Sequence, residues 1–98
     1  MPATVQSATF SKWLSKLADS RAKAKVMVRI DRLGAGNPGD VRPVGKGISE
    51  MRIDYGPGYR VYFINRGKVV VVLLCAGTKG TQQTDIERAT EIAQQWRD

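Results

Sequence analysis

The side chains of residues 51–63 fall with a period of two into an apolar set and a more polar set, a pattern that predicts β-strands. Two tight turns divide residues 50–74: Gly56-Pro57-Gly58 forms the first and Asn65-Arg66-Gly67 the second. The run that follows, residues 69–76, is apolar on both faces, as in a strand that is covered from both sides. Residues 50–74 therefore predict three strands joined by two turns, and the rest of the chain is organised around them.

The register of the first hairpin decides which side chains share a face. Placing Tyr55 opposite Tyr59 puts Asp54 directly across from Arg60. One face is then apolar and contains Met51, Ile53, Tyr55, Tyr59, Val61 and Phe63. The other face contains Arg52, Asp54, Arg60 and Tyr62. We expect function on this second face, because it is cationic and aromatic.

Two segments before the hairpin show the spacing of amphipathic helices, residues 10–17 and residues 21–33. Thr9 is predicted to be the N-cap of the first helix, and Asp19-Ser20 ends it and caps the second. The predicted apolar stripe of the second helix is Val26, Met27, Ile30 and Leu33, and its basic side chains, which include Lys25, Arg29 and Arg32, are typical of a solvated face. The glycine-rich residues 34–39 end that helix.

The remaining segments have weaker patterns. Thr4-Val5 is predicted to be an edge strand, and residues 40–47 to be an irregular loop in which Lys46 lies exposed between two glycines. An alternative for this loop is an anion site made by the backbone N–H groups of the glycines. Towards the C-terminus, Thr84 and Glu87 predict a capping box. The helix that it would begin carries Ile86, Ala89, Ile92, Ala93 and Trp96.

The composition limits the possible partners. The chain has 98 residues, enough for one domain with a hydrophobic core of its own. Sixteen Lys and Arg against nine Asp and Glu give a net charge of +7. This charge suits RNA, DNA or an acidic protein, and a basic surface that serves only solubility is the alternative.

Two further features of the composition bear on chemistry and location. No histidine is present, which removes the commonest general base and the commonest metal ligand, and we expect neither a metal nor a cofactor. The single cysteine, Cys75, lies in an apolar strand and is typical of core packing in a reducing compartment. With no signal-like segment and no apolar run of membrane-spanning length, we expect a cytoplasmic protein without membrane contact.

Five segments carry a family resemblance: FSKWLSKL at 10–17, AKAKV at 22–26, RIDRL at 29–33, GNPGDVRPVGKGISEMRIDYGPGYRVYF at 36–63 and LLCAGTKGTQ at 73–82. With them the chain resembles the RelE/ParE superfamily of bacterial toxins, and more narrowly the group of addiction module killer proteins. The resemblance covers nearly the whole chain. It implies an α+β fold: a single RelE/ParE-like toxin domain over residues 1–98, in which two N-terminal helices pack on one face of an antiparallel sheet and a short helix follows at the C-terminus.

The resemblance also implies a function. Such a toxin belongs to a type II toxin–antitoxin system and is neutralised by a cognate antitoxin. The better-known activity of the superfamily is cleavage of mRNA in the ribosomal A site, which inhibits translation, and another branch inhibits DNA gyrase. The implied partners are the antitoxin, mRNA on the ribosome, and operator DNA bound only as the toxin–antitoxin complex.

The family's Gly-Tyr-Arg motif falls on residues 58–60, which implies that Arg60 binds phosphate. A family lysine on the preceding strand falls at or near Arg52, and the basic residue after the last strand matches Lys79. Planar guanidinium groups match phosphate with two parallel hydrogen bonds, so both arginines suit the charge that develops on a phosphate during RNA cleavage.

Acid–base chemistry needs other candidates. Lys46 and Lys79 are the candidates for proton transfer, and Tyr62 for stacking on a base or donating a proton. Structural alternatives remain open at this stage: Arg60 and Asp54 would form a cross-strand ion pair, and Lys79 would lie in a solvated turn.

One departure from the family pattern keeps three hypotheses open. Nuclease members often carry a tyrosine or histidine near the C-terminal helix, whereas residues 80–85 here contain neither. The first hypothesis is a ribosome-dependent, metal-independent endoribonuclease that uses Arg52, Arg60 and Lys79, assisted by Lys46 and Tyr62. The second is a non-enzymatic inhibitor of gyrase, and the third is a module that only binds its antitoxin.

Overall fold

The computed structural model describes residues 3–67 and 70–96 of the chain. Its elements, in chain order, are β1 (Ala3–Gln6), α1 (Ala8–Lys16), α2 (Ser20–Gly34), β2 (Val41–Gly45), β3 (Ile48–Ile53), β4 (Tyr59–Arg66), β5 (Val70–Thr78), a single 3₁₀ turn (Lys79–Thr81) and α3 (Gln82–Gln94). In this part of the chain no helix is both long enough and apolar enough to cross a membrane.

The five strands form one sheet in the order β1-β5-β4-β3-β2. The pairs β2–β3, β3–β4 and β4–β5 are antiparallel, whereas β1 runs parallel to β5. Helices α1 and α2 pack on one face through a core that includes Phe10, Val26 and Val61. Helix α3 packs on the other face through Ile92 and residues of β5 such as Leu74. The predicted α+β class, with two N-terminal helices on one face and a short C-terminal helix, is confirmed.

The predicted register of the first hairpin is wrong by two residues. Ile53, not Tyr55, lies opposite Tyr59, and Arg60 lies opposite Arg52 instead of Asp54. The turn is longer because Tyr55 belongs to it: the Gly58 N–H donates to the Tyr55 carbonyl oxygen at 3.1 Å. A shift of two residues leaves each side chain on its predicted face. The apolar set Met51, Ile53, Tyr59, Val61 and Phe63 accordingly lies in the core beneath α1 and α2.

The caps of the N-terminal helices agree in part with the prediction. Asp19 caps α2 as expected, since its carboxylate accepts from the N–H groups of Arg21 and Ala22. Helix α1 is capped by Ser7 and not by Thr9: the Ser7 hydroxyl oxygen accepts from the Phe10 N–H at 3.0 Å. The same hydroxyl donates to the Leu74 carbonyl oxygen, which ties the start of α1 to β5.

The apolar stripe of α2 differs from the prediction at one position. Its buried residues are Ala22, Val26, Ile30 and Leu33. Met27 was expected in this stripe but is half exposed. Ala22 occupies the buried position one turn before Val26, so the helix faces the sheet along a line on which Met27 does not lie.

The structure differs from the prediction in residues 40–47 and at the start of α3. Residues 40–47 were predicted to be a loop, yet Val41–Gly45 forms β2, an edge strand in which Pro43 is tolerated because one side has no partner strand. The predicted capping box of Thr84 and Glu87 is wrong, since α3 begins at Gln82 after the 3₁₀ turn. The apolar side chains of β5 lie in both cores, as predicted for residues 69–76, of which Val69 is outside the described residues.

Candidate nucleic-acid interface

Three of the five predicted site residues come to one end of the sheet. Arg52 on β3 lies opposite Arg60 on β4, and Arg60 lies opposite Gly77 on β5. Directly opposed residues project from the same face of a sheet, here the face that also carries α3. Lys79 follows β5 and is held beside the hairpin tip, because its N–H donates to the Gly58 carbonyl oxygen at 2.8 Å. We call Arg52, Arg60 and Lys79 the cationic cluster.

Arg52 is paired at the open edge of this cluster. Its Nη2 lies 2.8 Å from Asp40 Oδ1, and its Nε lies 3.3 Å from the same oxygen. The hydrogen bond from Arg52 lowers the pKa of Asp40, and the same bond raises the pKa of Arg52. Because both side chains are substantially exposed, solvent weakens this pair and the guanidinium remains accessible to an anion.

Arg29 holds the backbone beneath Arg52. Its Nη1 donates to the Arg52 carbonyl oxygen at 2.6 Å, and its Nη2 donates to the carbonyl oxygens of Pro38 and Asp40. The sequence placed Arg29 on a solvated face of α2, but the side chain instead fixes β3 and the start of β2 to that helix. Arg29 therefore supports the cationic cluster without belonging to it.

Arg60 is largely enclosed. Its side chain is 13% exposed, and its Nη1 lies 3.6 Å from Glu50 Oε1. The Arg60 Nε is buried and has no hydrogen-bond partner among the described residues. The predicted partner Asp54 is replaced by Glu50, because the true register moves Asp54 past the end of β3. Arg60 thus presents a guanidinium whose hydrogen-bonding capacity is only partly used.

Glu50 is the charged residue at the centre of this face, and the sequence reasoning did not select it. It is completely buried, a position that normally requires several compensating partners. Its Oε1 faces Arg42 Nε at 3.3 Å and Arg60 Nη1 at 3.6 Å. Its Oε2 accepts from the Tyr62 hydroxyl at 3.2 Å and from Gln82 Nε2 at 2.6 Å. The period-two alternation already put Glu50 on the face of Arg52, so the signal for it was present in the sequence.

Tyr62 is placed differently from the prediction. Its side chain has no exposure, so its ring is not available for stacking on a nucleobase. Burial, together with the negative charge of Glu50, raises the pKa of the Tyr62 hydroxyl. The protonated hydroxyl donates its hydrogen bond to Glu50 Oε2. Tyr62 therefore anchors that carboxylate and is not a proton donor at the surface.

Lys46 does not belong to the cationic cluster. It is exposed, as predicted, in the turn between β2 and β3, with a φ of 54° between two glycines that also have positive φ. β3 begins at Ile48, after this turn, and Arg52 lies four residues further along the strand, about 13 Å from Ile48. The structure therefore separates Lys46 from the other predicted site residues.

The segment where the family often carries a tyrosine or histidine packs closely on the sheet. A side chain at Gly77 would collide with Asp85 and Thr81, so the start of α3 rests directly on β5. The Thr81 hydroxyl donates to Asp85 Oδ2, and Gln82 reaches Glu50. This segment supplies hydrogen bonds to the site. Among the described residues no group of three His, Cys, Asp or Glu side chains is placed to hold a metal ion.

Comparison with known proteins gives a family and a relative. The family model described as Phage derived protein Gp49-like (DUF891) matches residues 12–97, which include Glu50 and the whole cationic cluster. The chain is also 55% identical over 87 residues to an uncharacterized protein of Haemophilus influenzae (strain ATCC 51907 / DSM 11121 / KW20 / Rd). That match covers 89% of this chain and 88% of the H. influenzae protein.

Proposed function

Because the chain belongs to the Gp49-like family of phage-derived proteins, we propose that it is the toxin of a type II toxin–antitoxin pair and cleaves mRNA on the ribosome. The association of this family with RelE-like toxins supports the first part of the proposal. The observation that carries the second part is the cationic cluster, in which two arginines face each other across neighbouring strands with a lysine beside them.

The reaction is a transfer of the phosphoryl group within the RNA. The 2′-oxygen attacks the adjacent phosphorus and loses its proton to water, the bond from phosphorus to the 5′-oxygen breaks, and a 2′,3′-cyclic phosphate remains. Arg60 and Arg52 stabilise the negative charge on the phosphoryl oxygens. The ammonium group of Lys79 donates a proton to the departing 5′-oxygen. The ribosome contributes the in-line alignment of the two oxygens.

The proposed partners follow from charge and family. A net charge of +7 suits mRNA and an acidic antitoxin. Operator DNA is a partner only of the toxin–antitoxin complex.

The test is expression of the protein without an antitoxin, followed by mapping of the 5′ ends of cellular mRNA shortly after induction. We expect growth arrest and new 5′ ends within codons. Arg60→Ala is expected to relieve the arrest. Arg32→Ala is the matched control and is expected to leave the arrest unchanged, because Arg32 is an exposed arginine of α2, which packs on the other face of the sheet. Each variant is first checked for a cooperative thermal transition. Arrest that survives the double substitution Arg60→Ala and Lys79→Ala contradicts cleavage by this cluster.

A second candidate is a non-enzymatic inhibitor such as a gyrase poison. Two observations favour it. Both arginines of the cluster already have carboxylate partners, and residues 80–85 contain no tyrosine or histidine. Loss of plasmid supercoiling with intact transcripts after induction identifies this alternative.

A further inference from the structure

Glu50 brings together two guanidinium groups, of which the sequence reasoning selected one. The oxygen Oε1 faces both Arg42 Nε on β2 and Arg60 Nη1 on β4. Arg42 lies directly across from Glu50 in the β2–β3 pair, so all three side chains occupy one face of the sheet. Two cations that share one carboxylate oxygen are close neighbours and leave one positive charge in excess. This excess positive charge favours the binding of a second anion at the two arginines.

The carboxylate is fixed from its other side. Tyr62 holds Oε2 from β4 and Gln82 holds it from α3, and both contacts come from within the protein. With Oε2 engaged twice, the group has no freedom to rotate, and Oε1 keeps its direction towards the arginines. A rigid, fully buried carboxylate of this kind orients its partners more than it stabilises the fold.

Both arginines have nitrogen atoms left for a ligand. Arg42 uses its Nε towards Glu50, its side chain is 51% exposed, and its Nη groups make no other hydrogen bond or ion pair with the residues that the structure describes. Arg60 uses Nη1 towards Glu50, and 13% of its side chain is exposed to a ligand, whereas its Nε has no partner among these residues but is buried. An anion between the two would receive several charge-assisted hydrogen bonds.

We infer that Arg42 and Arg60 form a phosphate-binding pair whose geometry is set by Glu50. Arg42 binds a phosphodiester oxygen directly, and Glu50 is a positioning residue that does not touch the ligand. The ligand is a phosphate group of single-stranded RNA, an identification that rests on the proposed function. The pair extends the phosphate-binding surface from the cationic cluster across β3 to the edge strand β2.

The first experiment measures binding of a short uridine oligonucleotide by fluorescence anisotropy at several salt concentrations. Arg42→Gln is expected to weaken binding about tenfold and to lower the slope of log K against log salt by about 0.7, the value for one lost contact to a single strand. Arg32→Gln removes the same charge from α2, which packs on the other face of the sheet, and is expected to leave the slope unchanged. Equal effects of the two substitutions overturn the inference.

Glu50→Gln distinguishes positioning of the two arginines by Glu50 from binding of RNA by net positive charge alone. The substitution makes the protein more positive, so a surface that binds by net charge alone would bind RNA more tightly. We expect weaker binding, because the two guanidinium groups repel each other and diverge once their shared carboxylate is gone. Tyr62→Phe removes one anchor of Oε2 without changing any charge, and we expect a smaller loss of affinity. Should Glu50→Gln not fold, Tyr62→Phe decides the matter, and unchanged or tighter binding overturns the inference.

A second measurement is independent of RNA. In ¹H–¹⁵N spectra, the Nε–Hε signals of Arg42 and Arg60 are followed while inorganic phosphate is added to the folded protein. We expect both signals to shift together in the wild type and to lose this response in Tyr62→Phe or Glu50→Gln. Failure to bind the oligonucleotide with intact phosphate shifts contradicts the proposed function and leaves the pair standing. If the Nε–Hε signals of Arg42 and Arg60 do not shift when phosphate is added, the two arginines do not form a phosphate-binding pair.

Discussion

At the scale of single residues, Glu50 connects the most distant parts of the candidate interface. Its partners come from β2, β4 and α3, so one carboxylate joins the edge of the sheet, its centre and the C-terminal helix. Removing one partner of a buried charge costs about 3–5 kcal/mol, because the remaining charge is left uncompensated. The placement of Arg60 and Tyr62 follows from this carboxylate.

Cys75 gives a pH-dependent prediction at the same scale. Burial, with a contribution from Asp85, raises the pKa of its thiol from 9.0 to about 12. The unfolded chain therefore loses this proton first, and the stability that comes from the neutral thiol is complete below pH 9 and declines as the pH rises towards 12. The free energy of unfolding is expected to fall by up to about 1.4 kcal/mol per pH unit per proton in this range.

Urea denaturation between pH 8 and pH 11 tests this expectation. Cys75→Ala is expected to be less stable at pH 8, because a buried side chain is shortened, but to lose less stability as the pH rises. Parallel curves for the wild type and Cys75→Ala would show that the thiol does not carry the effect.

At the scale of elements, the alternation of side chains predicted the faces of the sheet, but the hairpin register needed the structure. The face on which a side chain lies depends only on whether its position in the strand is odd or even. Met51 and Val61 were therefore placed in the core correctly, even though the predicted register was wrong by two residues. The register depends on how many residues the turn contains, and Tyr55 was assigned to a strand when it belongs to the turn. The role of Ser7 as a cap escaped prediction because Thr9 is an equally good capping residue by type.

The packing of α3 on β5 gives a prediction at the same scale. Gly77→Ala places a methyl group against Asp85 and Thr81, so the start of α3 must move away from the sheet. We expect a loss of about 1–3 kcal/mol in the free energy of unfolding, measured by urea denaturation. Gly80→Ala is the matched control, because its nearest neighbour would lie 3.8 Å away, an ordinary contact. Similar losses for both variants would contradict a specific contact at Gly77.

At the scale of the whole molecule, the fold class followed from the order of elements, whereas the composition of the site did not. Arg52, Arg60 and Lys79 were selected from the sequence, and the structure brings them to one end of the sheet. Lys46 was selected as a lysine between two glycines, and Tyr62 as a tyrosine on the same face as Arg52. Their positions depend on the direction of β3 and on the packing of α3, which join residues far apart in the chain. Arg42 was missed because residues 40–47 have no strand-like alternation.

The separation of the two ends of the sheet gives the last prediction. Under the proposed function, Lys79→Ala is expected to weaken the growth arrest that follows induction, since Lys79 adjoins the hairpin that carries Arg60. Lys46→Ala is expected to leave the arrest unchanged, because Lys46 lies in the turn between β2 and β3, at the opposite end of β3 from Arg52. Colony counts after induction compare the two variants at matched expression. A stronger effect of Lys46→Ala would place the active surface at the other end of the sheet.

The parallel pairing of β1 with β5 bears on how the protein is made. Residues 3–6 pair with residues 70–73, so the first strand to leave the ribosome has no place in the sheet until nearly three quarters of the chain has followed it. The same wait applies to Ser7, whose hydroxyl holds the Leu74 carbonyl. Arg60 pairs with Gly77 of β5, and Glu50 contacts Gln82 of α3. Both partners are synthesised later still. A nascent chain therefore cannot complete the face that carries Glu50 and the cationic cluster until most of the protein has been synthesised.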